Sequence, residues 1–407
     1  MANRSAGRWL RGLAVVAAAV PITVAALPAR LVGEEPGPAT AVARPLQTAA
    51  VSASPAANLA IGPRLRPTAP PAVREFDVVA TGDLLIHSPI YRRALLHGGG
   101  DGYDFRPLFA NIRPIVRRAA LAICHVETPL GPGPPATYPI FNTPPELADA
   151  IAWTGWDACS TASNHSVDGG QAGIDSTVAA LEAAGIAHTG SFRTQREARR
   201  IPIVEVRGVR IAFLAYATWT NGIPLPNAWS VNLISVPKIE RDARRARRLG
   251  ADIVIVNLHW GTEYVHEPDA HQEAMAEDLL GRGIVDAIIG QHAHVVQPIG
   301  RIAGRYVVFG EGNLISSQTG DRQDGLIAVL HVRAEGKEAR ITGVDYVPTW
   351  VRHPDHIVEP VGRALRRLIA AGEGNGWLAA ALRASYLRTV AAVGSGRRIK
   401  PLPASLP

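Results

Sequence analysis

The residues able to do chemistry in this sequence recur just beyond short apolar runs. Gly82-Asp83 closes the first run, and His125-Val126-Glu127 closes the second. Asn164-His165 follows the third, with Asp168 just beyond. His259-Trp260-Gly261 ends the fifth, with Glu263 close behind. His292-Ala293-His294 follows the sixth, and Glu311 and Asn313 follow the seventh. Carboxylates offer hard oxygen donors that bridge cations, histidine offers nitrogen donors suited to Mn, Fe or Zn, and asparagine a neutral oxygen. His292 and His294 stand two apart, which on extended backbone turns both side chains the same way. Each residue alone has a plainer reading. Asp83 suits a helix N-cap, Asn164 and Asp168 suit turns, and His97 or His188 suits the surface or a satisfied core. Their concentration at the ends of apolar runs points to one shared site.

Those runs read as strands. Segments 76–81, 119–123, 156–161, 209–216, 252–258, 285–289 and 306–309 are apolar, β-rich and bounded by glycine or polar clusters. Helical patterns fall between them at 145–152, 173–184, 236–249 and 272–282. Arg207-Gly208 and Glu335-Gly336 each separate two strand-like segments, as in hairpins. The class is α/β with mixed sheets: two packed sheets covered by helices, a four-layer αββα sandwich. In such sheets the loops beyond strand C-termini share one rim, where sites collect.

Composition sets the context. The chain has 407 residues, 47% hydrophobic and 19% charged, enough for a sizeable core. Of the net charge of +7, +6 lies in residues 1–74, which hold eight arginines and two acids. The remainder is near neutral, so the high isoelectric point does not argue for a nucleic-acid-binding domain. Arg4, Arg8 and Arg11 precede an apolar run from Leu13 to Leu27. Residues 1–32 therefore read as a signal peptide or N-terminal membrane anchor, and 33–74 as an Ala/Pro-rich linker. This places the protein outside the cytoplasm, secreted or anchored to the cytoplasmic membrane. A folded domain over 75–360 and a C-terminal helical extension over 361–407 complete the chain. The two cysteines, Cys124 and Cys159, form no Cys-x-x-Cys pair. Buried free thiols are the expectation, with a disulfide the alternative if their strands are neighbours in an oxidising compartment. The arginines at 241, 244, 245, 247 and 248 suit a solvated helix face or a polyanion contact.

The order of these motifs resembles the calcineurin-like metallophosphoesterase signature, and more closely its CapA branch, linked to poly-γ-glutamate capsules. The residues carrying the likeness are Gly82-Asp83-Leu84-Leu85-Ile86-His87, Val126-Glu127-Thr128-Pro129 and Phe141-Asn142-Thr143-Pro144-Pro145-Glu146-Leu147. They continue with Ser163-Asn164-His165-Ser166-Val167-Asp168, Thr220-Asn221-Gly222-Ile223-Pro224 and His259-Trp260-Gly261-Thr262-Glu263-Tyr264. Gly290-Gln291-His292-Ala293-His294-Val295-Val296-Gln297-Pro298 and Gly312-Asn313 close the series. Four positions depart from the wider pattern. Leu85 stands where a second histidine is usual, Glu127 replaces Asp, His125 replaces Asn, and Ser163 replaces an Asn common in the branch.

The resemblance implies a metallophosphatase-like fold and a metal-dependent enzyme. Asp83, Glu127, Asn164, His259, His292 and His294 are the expected ligands for one or two divalent ions, Mn, Fe or Zn. His165 is the expected general acid, Asp168 orients it, and Glu263 serves as base or substrate contact. His87, His125, Asn221, Glu311 and Asn313 are expected to line the substrate, with His125 an extra ligand in the alternative. The implied substrate is an anionic polymer such as poly-γ-glutamate, cut at a γ-glutamyl amide or a phosphoester, with a membrane-bound polymer synthase as partner. The alternative is a non-catalytic polyanion-binding subunit that assists elongation or export. A serine hydrolase with a Gly-x-Ser-x-Gly elbow is excluded, because the motif is missing.

Overall fold

Strands that are apolar on both faces must be covered on both faces. The strand Ile253–His259 is of this kind, with every residue buried. Ile253 and Ile255 join a core with Phe76, Val78, Ala80 and Phe213. Val254 and Val256 turn the other way, into a core with Ile239 and Ala243 of the Val236–Arg248 helix and Ala276 and Leu279 of the Ala270–Gly281 helix. Successive residues of one strand thus face two layers.

The computed structural model describes residues 73–394, 396 and 398–406. The expected leader and most of the linker lie outside the described residues. In chain order the strands are β1 (Val73–Leu84), β2 (Leu121–Val126), β3 (Ala158–Ser160) and β4 (Ala187–Thr189). Next come β5 (Ile203–Val206), β6 (Val209–Ala217), β7 (Ile253–His259), β8 (Ala287–Gln291), β9 (Ile299–Ile302) and β10 (Arg305–Val308). The last are β11 (Asn313–Ile315), β12 (Asp324–Glu335), β13 (Glu338–Arg352), β14 (Ile357–Pro360) and β15 (Ile399–Pro401). The first sheet runs β14-β13-β12-β1-β2-β3-β4, with β11 also on β1 and β15 on β13. The second runs β5-β6-β7-β8-β10-β9. Both mix parallel and antiparallel pairs.

The sheets pack face to face through one core, and helices cover both outer faces. Ala148 and Ile151 of the Leu147–Thr154 helix pack on the outer face of the first sheet with Val79 and Cys124. This is the four-layer sandwich expected from the sequence. Both expected hairpins form, β5 with β6 and β12 with β13. At the first, Arg207 and Gly208 both have positive φ, 50° and 74°, as a tight turn between twisted strands requires.

Two details differ from expectation. Cys124 and Cys159 form a disulfide instead of free thiols. They are directly paired in register on the parallel neighbours β2 and β3, which brings their Cα atoms to 4.4 Å. The first strand also runs past Gly82-Asp83 to Leu84, through an irregularity in its register with β2 between Ala80 and Asp83. The C-terminal residues form the helices Val361–Ala370 and Trp377–Val393, then β15. Arg388 donates to both carboxylate oxygens of the buried Asp324, at 2.6 and 2.9 Å, which ties the second helix to β12. No helix among the described residues is long and apolar enough to cross a membrane.

Gly82 lets β1 approach the segment before β11. A Cβ there would lie 2.0 Å from the Gly312 carbonyl oxygen, which is backbone and cannot swing away. Gly82→Ala should destabilise the protein by about 2 kcal/mol or more, as overpacking of a rigid core does. Gly281→Ala, where a Cβ meets nothing within 4 Å, should change stability by less than about 1 kcal/mol. Paired chemical-denaturation curves check the contrast.

Candidate metal centre

The polar residues meet where the C-terminal ends of β1, β2, β7 and β8 converge. Asp83 is fully buried. Its carboxylate accepts the His292 amide at 3.3 Å and faces His294 Nδ1 at 3.2 Å. His294 Nδ1 also lies 3.0 Å from Asn313 Oδ1. Two oxygen acceptors at one nitrogen place the ring proton on Nδ1. Nε2 is left 3.6 Å from Glu127 Oε1. His292 and His294 have φ of 90° and 57°. Left-handed backbone at two non-glycine residues is strained, and it aims both rings at the centre.

A second group crosses between the sheets. Asn164 Oδ1 lies 3.0 Å from His259 Nε2 and can only accept, so His259 donates there. His259 Nδ1 then accepts from His125 Nε2 at 3.0 Å, and His125 Nδ1 accepts from Ser160 Oγ at 2.6 Å. Ser160 Oγ in turn accepts from Asn257 Nδ2 at 3.2 Å. Burial lowers the pKa of His125 to about 4 and that of His259 well below its ordinary value. Both rings are therefore neutral, and the chain of protons has a single direction.

Three sets of ligand atoms lie within 4.8 Å of one another: Asp83, His125 and His259; Asp83, Glu127 and His294; and Glu263, His292 and His294. The fit to a cation is tested by what lacks a partner. Both carboxylate oxygens of Glu127 and both ring nitrogens of His292 are buried with no hydrogen bond. A buried carboxylate without compensation is costly. Burial raises the Glu127 pKa well above the carboxylate range, and burial lowers that of His292 to about 3. A divalent cation satisfies both, and the oxygen and nitrogen donors suit a transition metal.

At the same rim His165 Nδ1 lies 2.8 Å from Asp168 Oδ2, which also accepts the Phe141 amide at 2.7 Å. Phe141 packs edge-on to His165 at 4.7 Å and to His87 at 5.4 Å. His87 is partly buried, which lowers its pKa to about 4. Exposed Asn221 brings Nδ2 within 3.4 Å of His165 Nδ1. Glu263, with its side chain 38% exposed, lies 4.0 Å from His292.

Three residues expected to touch substrate are corrected by burial. Glu311 is fully buried and accepts from Gln291 at 2.7 Å, so it supports the loop of His292 from behind. Asn313 is fully buried and fixes His294. His125 is 1% exposed and belongs to the donor cluster. Sequence reasoning missed Ser160, Asn257, Trp219 and Tyr264. Ser160 ends a strand beside His125, which is the one signal that was available. Trp219 and Tyr264 meet His292 and His294 through their rings, at 4.8 and 6.0 Å.

The protonation of the cluster gives metal binding a pH dependence. Burial opposes charge on His294, but Glu127 and Asp83 outweigh it and raise the pKa to about 9. The Glu127–His294 pair therefore holds at least one proton at neutral pH that a cation must displace. Affinity should rise with pH, by about tenfold per unit for each proton released. Metal titrations between pH 6 and 8 should show this slope, and Glu127→Gln should reduce it.

The family model described as "Bacterial capsule synthesis protein PGA_cap" matches residues 77–318, a stretch holding every residue of the centre. Capsule biosynthesis protein CapA of Bacillus anthracis is 29% identical over 197 residues, 47% of this chain and 48% of the relative. PGA biosynthesis protein CapA of Bacillus subtilis is 28% identical over 180 residues, 44% of this chain and 47% of the relative. The chain thus spans about half the length of these curated relatives. Among solved structures, the calcineurin-like phosphoesterase YfkN of Bacillus subtilis aligns at 14% identity and a TM-score of 0.45, over 79% of this chain and 99% of that one. With more than half its length matched by the family model, the chain belongs to the bacterial capsule synthesis protein family, PGA_cap.

Proposed function

We propose that the chain is an extracytoplasmic metal-dependent hydrolase or transferase of capsule or poly-γ-glutamate biosynthesis. It acts on a γ-glutamyl amide or a phosphoester of an anionic envelope polymer. One observation carries the reading: Glu127 and His292 are buried donors without partners, in two ligand groups that share His294.

Asp83, Glu127, Asn164, His259, His292 and His294 would hold one or two divalent ions of the Mn, Fe or Zn type. A bound ion polarises the attacked carbonyl or phosphoryl oxygen and lowers the pKa of water. The remaining work falls to side chains. Asp168 accepts the Nδ1 proton of His165, so the ring presents Nε2 to the substrate. A proton carried there passes to the leaving nitrogen or oxygen as its bond breaks. Glu263 is placed beside His292 to take the proton of the attacking water or acceptor. Phe141 covers one edge of His165 and keeps bulk water from it.

Two features support a location outside the cytoplasm. The Cys124–Cys159 disulfide suits an oxidising compartment, and arginines precede the apolar run at 13–27. The names of the relatives support a capsule polymer as substrate. A membrane-bound synthase is the partner this role calls for.

Metal analysis of the full chain should give near-stoichiometric Mn, Fe or Zn. A chelator should abolish cleavage of poly-γ-glutamate or of p-nitrophenyl phosphate. His292→Ala should lose metal and turnover together. His165→Gln should keep its metal and lose about 10²- to 10⁴-fold in turnover, the usual worth of a general acid. A metal-free protein indifferent to chelator sinks the reading and leaves a polymer-binding subunit.

A further inference from the structure

A cavity of about 820 Å³ lies between the loop after β6, the loop after β7 and the starts of the Val236–Arg248 and Ala270–Gly281 helices. Pockets of roughly 300–1,000 Å³ hold small ligands or substrate groups. None of the site residues discussed above lines this one except Trp219. Its walls are mostly carbon, from Trp219, Ile234, Val236, Pro237, Trp260 and Met275.

Its charges are already committed. Asp269 Oδ1 accepts the amides of His271 and Gln272 at 3.0 and 2.9 Å, and Oδ2 accepts the Thr262 hydroxyl at 3.1 Å. Asp278 accepts Arg282 Nε at 2.7 Å. No lysine or arginine is among the lining residues. A carboxylate-bearing chain finds no lysine or arginine here to replace its hydration.

The cavity and the metal centre share a wall. Trp219 lines the cavity, and its ring meets the His292 ring edge-on at 4.8 Å. Thr218 donates to the His259 carbonyl from its amide at 3.0 Å and from its hydroxyl at 3.2 Å. Trp260, the next residue after His259, is buried with its indole N–H bonded to the Phe309 carbonyl at 3.0 Å. Trp219 is 38% exposed, so an apolar group can lie against it at little cost.

We propose that this cavity binds an uncharged, hydrocarbon-rich group that the substrate carries beside the bond attacked at the metal centre. The substrate is then amphiphilic. Its polar, reacting head meets the Asp, Glu and His donors, and its apolar neighbour passes Trp219 toward Met275. This rests on the metal-centre reading and adds a substrate class to it.

A series of n-alkylphosphonates from methyl to hexyl, titrated by calorimetry into the metal-loaded full chain, tests it. The tetrahedral anion mimics the addition intermediate of an attacked amide, is isosteric with the phosphoryl group of a phosphoester, and is not hydrolysed. Each methylene buried in the cavity should tighten binding about three- to fourfold. Met275→Asp should flatten the series while leaving the methyl member and the metal content unchanged. A flat wild-type series with methylphosphonate bound overturns the cavity inference and spares the centre. No binding by any member, hexyl included, overturns both. The wild-type series decides without the variant.

Discussion

The two sheets are joined at one end by polar contacts, and the site is that joint. Asp83 belongs to β1 of the first sheet, yet its carboxylate holds His292 and His294, which follow β8 of the second. His125 ends toward β2 of the first sheet and bonds His259 of β7 in the second. Elsewhere the sheets meet mainly through an apolar core, joined by Tyr306 donating to the Thr342 carbonyl and, at the far end, by Arg74 and Arg207 donating to backbone carbonyls across the gap. Directional bonds fix position far better than apolar contact, because they weaken steeply with misalignment. The same contacts that seat one sheet on the other therefore set the spacing of the donors.

Much of this was legible in the sequence, for a physical reason. Buried strands must be apolar and must end, so a polar residue at a strand end is easy to see. The donors at the C-terminal ends of β1, β2, β7 and β8 stand out in this way, and the hairpins at Arg207-Gly208 and Glu335-Gly336 announce themselves by glycine. The failures share a different cause, which is distance in sequence. Whether Cys124 meets Cys159 depends on the register of β2 against β3, across 35 residues. Glu311 and Asn313 look like rim residues until the pairing of β11 with β1 draws this segment into the sheet and leaves both fully buried. The cavity beside the centre is lined by segments from Thr218 to Asp278, and no single stretch betrays it.

The rim is uneven in character. Around His165 lie Asp168, Phe141, Asn221 and His87, a set suited to holding and moving a proton. Around His292 lie Trp219 and the carbon-lined space behind it. Between them stand Glu127 and His294, whose mutual charge is balanced only within the cluster. One fold edge thus presents a polar flank and an apolar flank to whatever spans it. Membership of the PGA_cap family carries the donor motifs, while the curated relatives are about twice as long as the stretch they share with this chain.

The hydrogen-bonded row from Asn257 through Ser160, His125 and His259 to Asn164 has a further consequence. A nitrogen cannot carry a proton and a cation together. Were Asn164 and His259 Nε2 to take up a cation, the His259 proton would have to move to Nδ1, where it would meet the His125 Nε2 proton. His125 would then shift its own proton to Nδ1 and donate to Ser160, which would need a new acceptor. Asn257 Oδ1 is buried beside that row with no partner, and a turn of its amide supplies one. The row would thus be a two-position register. Loading the rim would reverse the tautomers of two buried rings and the amide of a residue two positions earlier in β7, so an ion's presence would be written into the floor between the sheets.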